Sequence, residues 1–82
     1  MPLTQDERAL LRLAKELIGT GRLPHESRSI CAGAGTGRVC ALCNEPVVSE
    51  EIEYEIEEPG GRSFQFHMRC HAVWQLALSD RR

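Results

Sequence analysis

Polar and apolar positions alternate along this chain with two distinct periods. Residues 4–19 read Thr-Gln-Asp-Glu-Arg-Ala-Leu-Leu-Arg-Leu-Ala-Lys-Glu-Leu-Ile-Gly. Leu10, Leu13, Ala14, Leu17 and Ile18 recur at the helical spacing, so the segment predicts an amphipathic helix of about four turns. Thr4 and Glu7 have the form of a capping box, and Gly19 or Gly21 supplies the stop. Leu3, Leu10 and Leu17 are seven apart, which hints at a dimer seam. Two heptads are too few for a coiled coil, so packing of one face on the rest of the chain is the preferred expectation.

The period changes to two between Glu51 and Glu57. Ile52, Tyr54 and Ile56 fall on one face of a strand and Glu51, Glu53, Glu55 and Glu57 on the other. Pro59-Gly60-Gly61 is a turn signal. Ser63-Phe64-Gln65-Phe66 then returns with both aromatics on a single face, expected to be the Ile/Tyr face. These five apolar side chains are read as most of the local core. From His67 onward the period is helical again, with Val73, Trp74 and Ala77 on one side and Leu76 and Leu78 flanking it.

The intervening stretch has neither period. It carries Gly33, Gly35 and Gly37 at alternate positions. A phosphate-cradling loop would need a preceding strand, a following helix and a Lys-Ser/Thr ending, and the sequence pattern offers none of them. We read an irregular connector. The resulting organisation is an N-terminal amphipathic helix over 1–21, a Gly-rich connector over 22–38 and a metal-stabilised finger over 39–80. The expected fold class is small α+β, with an N-terminal helix, a knuckle, a β-hairpin and a C-terminal helix.

Composition sharpens this picture. Eighty-two residues with two Phe, one Tyr and one Trp give a thin core, and domains this small often need a metal or disulfides. The first residues are polar and charged, without the apolar core of a signal peptide, so a reducing cytoplasm is the expected compartment. No apolar run is long enough to cross a membrane. The net charge of −2 argues against a general phosphate-binding surface. Residues 50–58 carry −6 and residues 59–82 carry +3, an acidic ridge followed by a basic tail. The ridge reads as a solvated strand face that discourages aggregation, or as a docking face for a basic partner.

The chemistry lies in Cys40-Ala-Leu-Cys43 and His67-Met-Arg-Cys70. Two thiolates from one tight turn reach a single metal, and Asn44, next in the chain, tolerates the positive φ such turns require. Residues three apart share a helix side, so His67 and Cys70 supply a second pair. Cys40, Cys43, His67 and Cys70 are therefore the candidate ligands of one structural Zn2+. The rivals are disulfides, a redox dithiol and an iron–sulfur site recruiting Cys31. Each is disfavoured, by compartment, by the missing βαβ context and by the His in the set. Haem attachment fails because Asn44 stands where a His is needed. Cys31 is read as a free thiol, His71 as a neighbour of the site or a surface residue, and His25 has no partner spacing.

Knuckle, hairpin and helix with these ligands resemble the treble-clef group of zinc fingers. The order Cys-x2-Cys-x23-His-x2-Cys over residues 39–78 is similar to the first half of a LIM domain, including Phe66 before the His. The whole chain also resembles small bacterial single-finger proteins. What the resemblance implies is a protein-interaction or regulatory module. A nucleic-acid-binding finger is the alternative, supported by Arg22, Arg28, Arg38, Arg69, Arg81 and Arg82 and opposed by the acidic ridge. Four protein ligands leave no open metal position and no catalytic set is apparent, so no enzyme activity is expected. The expected partner is another protein, met by the acidic strand face or the N-terminal helix, with the chain a monomer or homodimer.

Overall fold

A computed structural model describes residues 3–80; Met1, Arg81 and Arg82 of the readings above lie outside them. The element order is α1 (Gln5–Gly19), β1 (Ser29–Ala34), β2 (Ile52–Glu57), β3 (Ser63–His67) and α2 (Met68–Ser79). The three strands form one antiparallel sheet in the order β1-β2-β3. The α+β class and both helices stand as expected.

The start of α1 is the capping box written in its sequence. The backbone N–H of Glu7 donates to Thr4 Oγ1 at 3.1 Å, and the backbone N–H of Thr4 donates to Glu7 Oε1 at 2.9 Å. Two of the donors that every helix start leaves unpaired are thereby satisfied. The apolar stripe of α1 packs against α2 within the same chain, burying Ala14 and Ile18. Lys15 and Asp80 close the far end with a 2.6 Å ion pair.

The hairpin forms in the expected register, with Tyr54 opposite Phe66 and Ile56 opposite Phe64. The two rows therefore share a face, and Ile56 and Phe66 are fully buried beneath α2. The face is less evenly used than its periodicity implies. Tyr54 and Phe64 are half-buried, and Ile52 remains 47% exposed on the wall of an open cleft that it shares with Met68 and Arg69. Trp74 completes the core, stacked on Phe66 with ring centres 5.5 Å apart.

Residues 22–38 are not the irregular connector their composition suggests. Leu23 and Pro24 are buried, and the Pro24 carbonyl accepts the indole N–H of Trp74 at 2.8 Å. Ser29–Ala34 then forms a third strand, paired with β2 from Ser29–Glu57 to Ala34–Ile52. Its side chains are all exposed, so neither period marks it. Backbone pairing, rather than burial, holds it in place. Gly35 has a steric role: a Cβ there would stand 1.9 Å from the Val48 carbonyl oxygen. Gly37 takes φ +84°, a conformation that favours glycine.

The acidic row departs from expectation as well. Glu53 is buried, accepting from the Thr36 backbone N–H at 3.0 Å and the Thr36 hydroxyl at 2.7 Å. Arg38, Arg28 and Arg62 pair with Glu55, Glu57 and Glu58 respectively. Much of the ridge is thus neutralised within the chain.

Candidate metal centre

Two backbone turns bring the four candidate ligands together. At the knuckle, the Cys40 N–H donates to the Glu45 carbonyl at 2.8 Å and the Asn44 N–H to the Cys40 carbonyl at 3.0 Å. Asn44 takes φ 69°, as the turn demands. The Leu42 N–H points at Cys40 Sγ from 3.4 Å, a donor suited to a thiolate. Val39 and Pro46 pair across the base of the knuckle. The Ala41 N–H donates to the Gln65 carbonyl at 2.7 Å, which ties the knuckle to the outer edge of β3.

The second pair sits where β3 becomes α2. His67 ends the strand and is the N-cap of the helix, with φ −63° and ψ 157°, so it is extended rather than helical. Cys70 lies in the first turn of α2. The change of backbone state between them still brings both side chains to the knuckle. The ligand atoms of Cys40, Cys43, His67 and Cys70 all lie within 4.8 Å of one another. Cys40 and Cys70 are buried; Cys43 and His67 are half-buried.

The ring of His67 has a defined orientation. Its Nδ1 is 3.3 Å from Cys43 Sγ, and its Nε2 is 3.1 Å from the Pro46 carbonyl oxygen. Sulfur and nitrogen ligands of one tetrahedral metal stand about 3.5 Å apart, given metal–ligand bonds near 2.3 and 2.0 Å. Nδ1 is therefore placed to face the metal while Nε2–H donates to Pro46, the outer hydrogen bond that holds a ligating imidazole in one tautomer. Glu51 Oε1, 3.4 Å from Nε2, adds a negative neighbour.

The titration of the cluster points the same way. A hydrogen bond from the Cys70 thiol, with those of the knuckle backbone, lowers Cys40 to about 4 despite its burial. The Cys40 thiolate in turn holds Cys70 far above the usual thiol range, with burial and the Cys43 charge adding to it. Burial, and then the nearby Cys40 charge, raises Cys43. Burial works against a charged His67, but the Cys40 thiolate, the Pro46 carbonyl and Glu51 together raise it. Three sulfurs this close share protons, and a divalent cation at their centre removes the conflict by taking the thiolate form of each. The Cys3His group is positioned to bind one metal ion.

Cys31 is exposed on β1 and outside the cluster. His25 is exposed in the loop before it. His71 is more interior than expected, 9% exposed and stacked on Tyr54 with ring centres 4.3 Å apart. Burial lowers its pKa, and its Nε2 is buried without a hydrogen-bond partner. Its neighbour Cys70 signals the metal site; nothing in the sequence pattern signals the aromatic stack.

A cleft of 520 Å3 opens beside Cys43 and His67, with Glu45, Glu50, Glu51 and Met68 among its walls. No described helix is long and apolar enough to cross a membrane. Comparison with protein-family models, with curated proteins and with solved structures yields no significant match to this chain.

Proposed function

We propose that Cys40, Cys43, His67 and Cys70 hold one structural Zn2+, and that the chain is a zinc-stabilised protein-interaction or regulatory module of treble-clef type. The observation that carries this reading is the convergence of four deprotonatable donors at the joint of knuckle, strand and helix. Three sulfurs and one imidazole with their ligand atoms within 4.8 Å of one another match zinc better than the harder divalent ions. Four protein donors fill the coordination sphere, which favours a structural over a catalytic metal. Thiolate ligands of this kind belong in a reducing compartment, and we assign the chain to the cytoplasm on that ground.

The surface available to a partner is the acidic rim of the cleft beside the metal, from Glu45 to Glu50 and Glu51. The apolar stripe of α1 is already covered by α2, which removes that helix as the first choice. Nucleic acid is disfavoured because Arg28, Arg38 and Arg62 are engaged with glutamates.

Native mass spectrometry of the reduced protein tests the metal reading. One zinc per chain, with loss of the folded state when a chelator removes it, is the expected outcome. A salt titration against duplex and single-stranded DNA tests the role, with no binding at low salt expected. Tight binding that falls steeply with salt would replace interaction with nucleic-acid recognition.

A further inference from the structure

The strand that the sequence pattern conceals has an open side. The Gly35 N–H donates to the Glu51 carbonyl at 2.9 Å, continuing the β1–β2 register, so the odd-numbered residues of β1 bond inward to β2. Hydrogen-bonded pairs alternate along an antiparallel ladder. The N–H and C=O groups of Ile30, Ala32 and Ala34 therefore point away from the sheet. The opposite edge differs, since the knuckle covers β3 through the Ala41–Gln65 bond. Neither helix reaches β1.

Edge strands are normally protected by charge, proline, a bulge or short length. β1 has none of these protections. It runs six residues, Ser-Ile-Cys-Ala-Gly-Ala, with no charged side chain, and pairs with β2 without interruption. A neutral strand offers no electrostatic preference for a basic or an acidic partner. What it offers is complementarity to itself. On the face shared with the core lie Ile30 and, at the far end of the register, Ala34 beside Ile52. Ile30 is 45% exposed and Ile52 47% exposed, at opposite ends of the β1–β2 register, so an antiparallel second copy brings the Ile30 of one chain to the Ile52 end of the other.

We propose that β1 pairs antiparallel with β1 of a second copy of this chain, about a two-fold axis through Ala32, to make one continuous six-stranded sheet. This centring aligns Ile30 with Ala34 of the second copy and uses every outward-pointing group, giving about six inter-chain hydrogen bonds. Each Ile30 then lies over the small Ala34 of the other chain and meets its Ile52, so the large side chains fill the space the alanines leave. On the opposite face Cys31 falls beside Gly33, again a larger residue against the smallest. The two rows of β2 glutamates stay three strands apart, about 14 Å, beyond the Debye length at physiological salt. The pairing does not depend on which metal the cluster holds.

Sedimentation of the metal-loaded, reduced protein over a series from about 10 µM to about 1 mM tests the proposal, in the range where small interfaces dissociate. A reversible monomer–dimer equilibrium is expected, with the Ile30, Ala32 and Ala34 amides exchanging more slowly as concentration rises. Ala32→Pro removes a donor that bonds to nothing within the monomer, in a position where an edge strand accepts proline. Ile30→Lys places a charge at an exposed site and in the predicted contact. Both variants are expected to keep metal and helix content and to sediment as monomers across the series. A wild type that stays monomeric at the highest concentration overturns the proposal, as does a dimer that persists in folded Ile30→Lys protein with unprotected β1 amides.

Discussion

Trp74 donates its indole N–H to the Pro24 carbonyl at 2.8 Å, across fifty residues of chain. This bond fastens the segment after α1 over the side chain at the centre of the core. Trp74 also stacks on Phe66, which precedes the metal-facing His67. One side chain thus joins the helix, the sheet and the buried part of the connector. Trp74→Ala is expected to cost about 3–5 kcal/mol, the range for deleting a large aromatic from a core. Trp74→Phe should cost less, about 1–3 kcal/mol, because it keeps most of the packing and leaves the Pro24 carbonyl unpaired. Urea unfolding of the metal-loaded variants at one fixed zinc concentration measures both.

Gly33 and Gly35 look alike in the sequence and differ in the structure. A methyl group at Gly33 meets nothing within 4 Å, whereas at Gly35 it would stand 1.9 Å from the Val48 carbonyl. Gly33→Ala should be neutral or stabilising by up to about 1 kcal/mol through the unfolded chain. Gly35→Ala must push backbone from backbone and is expected to lose more than about 2 kcal/mol. Equal stability of the two variants would contradict the packing described here.

The glutamates of β2 are not equivalent. Glu53 is 6% exposed and accepts two hydrogen bonds from Thr36, while Glu55 makes a 3.7 Å contact with Arg38 in which both side chains are largely exposed. Glu53→Ala is expected to cost about 1–3 kcal/mol and to loosen residues 35–38, since the Thr36 hydroxyl and backbone N–H lose the acceptor that ties this segment to the sheet. Glu55→Ala should stay within about 0.5 kcal/mol, the usual worth of an exposed ion pair. Thermal unfolding, with amide exchange of Thr36, distinguishes them.

His71 adjoins a candidate ligand, yet its buried Nε2 has no partner. Its role is the stack on Tyr54. His71→Phe preserves the ring and removes the unpaired nitrogen, so it should keep full metal content and match or exceed wild-type stability. Loss of metal in this variant would place His71 among the ligands instead of His67.

These contrasts show where the sequence was informative. The capping box of α1, the hairpin register and the ligand spacing each rest on periodicity or on residues with narrow chemical use, and a local pattern suffices to read them. β1 escaped because its stabilisation is in the backbone, and Ser29–Ala34 shows neither alternation nor burial. Glu53 escaped for a related reason. Its row is polar on every second residue, and the depth of one carboxylate depends on where Thr36 returns, a non-local fact. The tautomer of His67 follows from Pro46, which the spacing of ligands does not encode.

One metal ion at Cys40, Cys43, His67 and Cys70 is expected to hold knuckle, sheet and helix together. The most direct measurement is the zinc content of reduced, purified protein, read beside far-UV circular dichroism before and after chelation, for wild type, Cys70→Ser and Cys31→Ser. One zinc per chain in wild type and Cys31→Ser, little in Cys70→Ser, and collapse of the fold on chelation is the predicted result, given that binding on the order of 10 kcal/mol is available to folding. A reduced wild-type protein that is fully folded without metal, or a Cys31→Ser variant that loses it, would contradict the account.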